Sequence, residues 1–419
     1  MMIKKHIISL AMAAMASCAM AEYTDGLWLL NEDWFGHNSS TVNFYSYTDG
    51  TITYRAFQKE NKGLTLGNTT QFCTQDDSNI YFCSKQNYGQ TGGRFIVADA
   101  KTLQAKHSIN AFDGGGDTRA CLPVSSTQVF IGTTSGIYVY NPTNGEITST
   151  PIEGTGVKEP GEMAVANGRL FVCAQGLGVY VINLNNLALE KTIEVSSSTC
   201  TLFTVGEQVW VAVNDCSWGT PSSSNTEQFI EIDTLALEAK TPVDVAMACQ
   251  NSSWAWRKTS PSVDEQNKVL YYAPADGGNF VSKYDMATGQ FTQEFIVLPE
   301  GESMYGNSVA FDARKGIIAV MCFEGYGNAN FHFHTFNTAG ELLSSIPLEE
   351  NYWFPAMVMV AKESSKPTGI SEVEGEKEVA SVRYYDAAGH CSATPWAGLN
   401  IVLTTYTDGT HITTKKMIK

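Results

Sequence analysis

The sequence predicts an all-β chain: a seven-bladed β-propeller closed by its N- and C-terminal strands, followed by a small separate β domain. Three observations lead there. Helical periodicity is almost absent. Short strand runs recur, each opened by a polar turn and broken by Gly, Asn, Asp or Pro. The runs also repeat in groups of four with a period of about 48 residues, a propeller-blade length. Composition fits this picture. Of 419 residues 43% are hydrophobic, 11% aromatic and only 17% charged, and 36 are Gly. That supplies a large core and enough turn formers to cut the chain into short strands.

The repeat is clearest in one strand, which recurs as NIYFCSK (79–85), QVFIGTT (128–134), RLFVCAQ (169–175), QVWVAVN (208–214), KVLYYAP (268–274) and GIIAVMCF (316–323). A second alternating run follows each, such as RFIVADA, GIYVYNP or QFIEIDT, and then a turn and a fourth short run such as GEITSTP. First strands, placed at 69–74, 119–124, 161–166, 199–204, 251–256 and 307–312, would line an axis and complete six blades. Three strands remain at the start (26–31, 41–47 and 51–57) and one at the end, PAMVMVA (355–361). Three and one make a seventh blade, so both ends of the unit close the ring. A β-sandwich is the alternative, and seven repeats fit it poorly.

Outside this unit the composition changes. MMIKK and the apolar run to Ala21 read as a signal peptide, residues 1–21, too short to span a bilayer. Two processing routes fit: cleavage after Ala21, or acylation of Cys18 after MAS. Residues 22–361 form the expected propeller. Residues 362–381, polar and charged, read as a linker, and 382–419 hold three further strand runs. The net charge of −16 argues against binding to nucleic acid or anionic lipid. There is no C-x-x-C and no Cys/His metal spacing. Most cysteines lie in apolar strands as small hydrophobes, and Cys73 and Cys83, on successive strands, are close enough in sequence order to pair.

Function has to come from the loops. In a propeller the second-to-third and blade-to-blade loops emerge on one face. Here they include NEDWFGHNSS (31–40), KQNYGQTG (85–92), NDCSWGTPSSSN (214–225), EGESMYGN (300–307), FEGYGNANFH (323–332) and EENYWFP (349–355). They would gather Trp34, Phe35, Tyr88, Trp218, Tyr305, Tyr326, Tyr352, Trp353 and Phe354, whereas the opposite turns carry no aromatic residue. Aromatic walls with a few polar groups suit a large flat or sugar-like ligand. His37 on the same loop and Arg119, at the start of an axial strand, are the polar candidates, with Arg119 suited to an anionic group. Rings that plug the channel or cap blade ends are the structural alternative.

Other constellations are weaker. Glu32, Asp33 and His37 are cation-ligand types, but acidic residues are common in loops. DGGGD (113–117) lacks the full calcium pattern. His332 and His334 alternate with phenylalanines and read as one face of a half-exposed strand, with a metal-binding pair as the alternative, and Arg257 shares the reading of Arg119. No metal is expected. No G-x-S-x-G, H-E-x-x-H or P-loop occurs, so a non-enzyme is expected.

Two resemblances sharpen these expectations. VRYYDAAG, GLNIV, YTDGT and the final TTKKMIK resemble the C-terminal sorting domain of Bacteroidetes proteins exported by type IX secretion. That implies the secretion machinery as a partner and a cell-surface or extracellular location. LWLLNEDWFG, STVNFYSYTDGTI and LGNTTQF resemble the YncE-like surface-layer propellers of Bacteroidetes, with departures at Asp33 and Trp34. Some members capture corrinoids and pass them to an outer-membrane transporter, which makes a corrinoid one implied ligand and such a transporter one implied partner. Three function classes follow: a binder of a corrinoid, other cofactor or glycan; a protein-interaction or surface-layer scaffold; and a propeller enzyme of lyase or quinoprotein type. An aromatic-walled depression favours the first, a flat apolar face the second, and convergent axial His, Tyr and Glu the third.

Overall fold

The computed structural model describes residues 22–418 except 35–36, 87–91, 157–159, 196–199, 215, 218–219, 222–226, 248–259, 274–277, 363–378, 387–389 and 408–410. The signal peptide, most of the linker, Phe35, Tyr88, Trp218 and Arg257 therefore lie outside the described residues. The described chain is all-β, apart from one short helix, Ala56–Glu60. It divides into two compact units, residues 1–364 and 365–419.

Among the described residues of the first unit seven main antiparallel sheets follow one another. The first contains Gly26–Asn31, Thr41–Ser46 and Ile52–Thr53, and its remaining edge is filled by the unit's last strand, Pro355–Val360. That strand runs antiparallel to Gly26–Asn31 from Leu27↔Val360 to Asn31↔Pro355. The second sheet is Asn68–Gln75, Asn79–Gln86, Phe95–Asp99 and Ala105–Ile109. The seventh carries Glu302–Ser303 and Val309–Asp312 beside Ile317–Glu324, then Phe331–Asn337 and Leu342–Pro347.

The core explains the continuous apolar runs. Side chains alternate across a strand, so a sheet buried on both faces needs apolar residues at consecutive positions. Phe82 packs with Trp28 and Leu30 of the first sheet, while its neighbours Tyr81 and Cys83 pack with Val129 and Ile131 of the third. Each sheet shares a core with the next in this way. The seventh returns to the first, where Met321 and Phe333 meet Leu27 and Leu29. This alternation also corrects the cysteine pairing: Cys73 and Cys83 belong to different cores on opposite faces, and both remain thiols.

Two strand assignments differ from expectation, and a third falls outside the described residues. The run 51–57 is a strand only at Ile52–Thr53. Arg55 takes a left-handed conformation (φ 51°), its N–H donates to the side chain of Asn43, and the chain turns into the helix that buries Ala56 and Phe57. In the third sheet GEITSTP contributes only an isolated bridge, Tyr140↔Ile147. The sixth sheet opens with Ser262–Asp264, whereas 251–256 lies outside the described residues. There Asp264 accepts from the backbone and side chain of Asn267 and so fixes the hairpin turn.

The second unit is one antiparallel sheet in the order Cys391–Ser392, Val379–Tyr385, Gly398–Tyr406, His411–Ile418. Asn400, fully buried, ties its hairpin by donating to the carbonyls of Trp396 and Gly398. Because each unit has its own sheets, a chain ending at Ser364 is expected to keep the melting midpoint of the first unit within a few degrees. Calorimetry of the shortened and full chains checks this, and a large drop would show that the two units fold as one.

Candidate functional site

The loop joining the first two strands of the chain begins with two acidic residues that turn inward. Glu32 is buried, and its carboxylate accepts from Gln71 Nε2 at 2.8 Å. Asp33, also buried, has φ 56° and accepts from the Thr41 hydroxyl at 2.6 Å. Burial pushes the Asp33 carboxyl up to about 8, against the lowering pull of Thr41 and Arg55. Glu32 and Asp33 thus anchor the loop, and His37 lies away from them against Trp34. The three do not converge on a cation.

With its acids buried, the loop presents its ring outward. Trp34 is 53% exposed, and its carbonyl accepts from the N–H groups of His37 and Asn38. His37 lies over the indole at 4.5 Å between centroids, and Tyr352 stacks on it at 5.8 Å. The row continues from Tyr352 to Phe354 at 5.7 Å, nearly parallel at 9°, and from Phe354 to Tyr326 at 5.7 Å. Tyr326, at the far end, is 66% exposed. Beneath the row lie Phe323, Phe331 and Tyr305, with Tyr305 edge-on to Phe354 at 4.4 Å. The backbone fixes this neighbourhood, because Glu32 N–H donates to the Phe354 carbonyl at 2.7 Å.

Three of the residues grouped by sequence are placed elsewhere. Trp353 is turned into the core at 2% exposure, stacked on Tyr54 under the Arg55 guanidinium, and its Nε1–H donates to the Glu349 carbonyl. An extended segment sends alternate side chains to opposite sides, so Tyr352 and Phe354 face the row and Trp353 cannot. Tyr305 is a buried support. Arg119 is 4% exposed and lies 3.6 Å from Asp117, which Arg94 also approaches at 3.6 Å. It shares the part-exposed Asp117 with the part-exposed Arg94 and takes no part in the ring row. Of the nine ligand-binding candidates, Trp34, His37 and Tyr326 are described at the surface; Phe35, Tyr88 and Trp218 lie outside the described residues.

Of a second cluster sequence reasoning raised only the pair His332 and His334, and His334 is buried at 1% exposure rather than half-exposed. Glu302, Cys322 and His334 are buried together, with His332 and Glu324 beside them. Elsewhere a groove of about 680 Å³ is lined by Asn167, Gln208, Glu231, Asp233 and Lys240, at strand ends and turns, with no aromatic residue in its lining.

Residues 25–361 match the profile of a family described as "Domain of unknown function (DUF5074)". No curated protein matches the chain by sequence. Among solved structures, the extracellular domain of BT4673 from B. thetaiotaomicron aligns at a TM-score of 0.50 and 15% identity, over 84% of this chain and 46% of that one. Dihydro-heme d1 dehydrogenase NirN, in complex with DHE, gives 0.48 and 10%, over 82% and 75%. The computationally designed Ika8 protein gives 0.44 and 14%, over 95% and 98%. At 15% identity the likeness to the BT4673 domain concerns fold alone.

Proposed function

We propose, from the premise that this chain belongs to the family described as a domain of unknown function, DUF5074, that it is an exported seven-bladed β-propeller that binds a ligand on its aromatic row. Support for the propeller comes from the seven consecutive sheets, the last strand completing the first sheet, and the core shared between the seventh and first sheets. First strands of neighbouring sheets also lie side by side: Asn68–Gln75 against Thr118–Ser125, Pro160–Ala166 against Cys200–Val205, and Val309–Asp312 against Pro355–Val360. Export to the cell surface rests on the signal-like residues 1–21 and on the sorting-domain resemblance of residues 382–419. Among the described residues no helix is long and apolar enough to cross a membrane.

The observation that carries the binding reading is the row His37–Trp34–Tyr352–Phe354–Tyr326, supported from beneath and exposed at both ends. Rings held in mutual contact are pre-organised, so a flat ligand can stack on the exposed Trp34 and Tyr326, backed by the half-buried Tyr352 and the buried Phe354, with little loss of side-chain entropy. A corrinoid, another planar cofactor or a glycan presents such a face. Thermal-shift screening of the full chain against corrinoids, haems and glycans identifies the ligand, because a tight binder raises the melting point. Trp34→Ala is then expected to weaken that ligand about ten- to a hundredfold, with little change in stability because the indole is half exposed. Unchanged affinity with unchanged stability would remove the row as the site and leave a protein-contact surface as its role.

A further inference from the structure

The seventh sheet gathers five metal-ligand side chains on one face. In the register Glu302 lies opposite Glu324, and Cys322 opposite His332. Side chains two apart share a face, so Cys322 and Glu324 on one strand and His332 and His334 on the next all point the same way. The atoms meet. Glu302 Oε2 lies 2.7 Å from His334 Nε2 and 2.8 Å from Cys322 Sγ. Glu302 Oε1 lies 3.8 Å from His332 Nε2, which is 2.9 Å from Glu324 Oε1. The two imidazoles are nearly parallel, at 5°.

Core packing does not call for this set. Glu302, Cys322 and His334 are buried among Met304, Val320 and Phe336, where an apolar trio of equal volume would avoid desolvating a carboxylate. Buried charges are normally paired or bound to metal. The His334 ring is engaged only through Nε2, its Nδ1 meeting no partner among the described residues. What orients that imidazole is therefore the cluster itself.

We propose that Glu302, Cys322 and His334 hold one zinc-class divalent ion, with His332 and Glu324 at the mouth of the site. Thiolate, imidazole and carboxylate together are the zinc donor set, whereas calcium and magnesium take oxygen ligands. Tetrahedral zinc places its ligand atoms about 3.3–3.8 Å apart, given bonds of about 2.0–2.3 Å. The present donors need open by only about an ångström. On binding, the Cys322 S–H bond breaks, its proton leaves to solvent, and the thiolate pair forms the Zn–S bond. His332 and Glu324, part-exposed, give the ion a path in, and His332, 3.8 Å from Glu302 Oε1, can complete the tetrahedron by turning inward. The site faces the core between the sixth and seventh sheets, on the opposite side of the strand from Phe323 and the aromatic row, so it is independent of the ligand reading.

The test uses the full chain in a Cys391→Ser background, since Cys391 is an exposed thiol. After chelator stripping, one equivalent of Zn²⁺ should be retained through equilibrium dialysis and should raise the melting point. Co²⁺ should give the thiolate-to-metal charge-transfer band. Cys322→Ser should abolish that band and weaken zinc at least about tenfold, and Glu324→Gln, at a part-exposed position, should weaken it less. Should Cys322→Ser fail to fold, His332→Asn at the mouth must still weaken zinc. No retained zinc, a thiolate band that survives Cys322→Ser, or zinc affinity indifferent to His332→Asn would overturn the assignment.

Discussion

A chain ending at Phe354, and so lacking Pro355–Val360, is expected to lose cooperative folding of the first unit. This strand contributes in three ways. It pairs along Gly26–Asn31, and Ala361 N–H donates to the Gly26 carbonyl. It bridges to the seventh sheet, where Asn307 N–H donates to Ala356 and Val358 N–H donates to Asn307. It also buries Ala356 in the core shared with the second sheet and Val358 in the core shared with the seventh. Each lost hydrogen bond is worth about 0.5–1.5 kcal/mol. Uncovering Trp28 and Leu30 on one side and Leu27 and Leu29 on the other adds about 1.5–3 kcal/mol per side chain. Their sum rivals the whole stability of a typical domain, about 5–15 kcal/mol. Urea unfolding followed by tryptophan fluorescence is the check, with the chain ending at Ser364 as reference. An unchanged midpoint would mean that the strand is an appendage to an already complete fold.

The second large effect is in pH. Asp33 has a native pKa of about 8 against an ordinary 3.8. Below pH 4 both folded and unfolded chains carry the proton, and Asp33 is neutral to stability. Between pH 4 and 8 the unfolded chain gives it up while the folded chain keeps it, so stability falls as pH rises, by about 1.4 kcal/mol per unit. Above pH 8 the loss is complete, on the order of 5 kcal/mol. Asp33→Asn removes the titration. It keeps an oxygen for the Thr41 hydroxyl, and Asn is among the residues best suited to the left-handed backbone at this position. The variant should therefore melt several degrees above the wild type at pH 8 and at the same temperature near pH 4. Parallel curves between those limits would mean that Asp33 is ionised in the folded protein.

Strand order was legible because each run carries its own period-2 signal and its own turn. The partnership of 26–31 with 355–361 followed from counting strands in fours. The helix at Ala56–Glu60 was not legible, since it depends on the Asn43 side chain capturing the Arg55 N–H from another strand. Loop chemistry divides the same way. Tyr352, Trp353 and Phe354 look equivalent by residue type, yet alternation turns the middle ring away from the other two, onto Tyr54; counting by two would have separated them. For the Glu302–Cys322–His334 cluster, alternation alone shows that His332 and His334 share a face. What brings Cys322 opposite His332 is the register between two strands, together with an edge strand of two residues that no periodicity announces.

The outermost strands of the sheets bear on behaviour in concentrated solution. Each is paired on one side only and offers a row of backbone donors and acceptors to another chain. The second and fourth sheets end in AKHSI and LEKTI, whose lysines and glutamate discourage such pairing. The seventh ends in LLSSIP, with Leu342 and Leu343 each 55% exposed and protection limited to the terminal Pro347. Resistance to edge-to-edge aggregation is therefore unequal around the molecule. A charged residue at Leu343 would be the economical place to improve it.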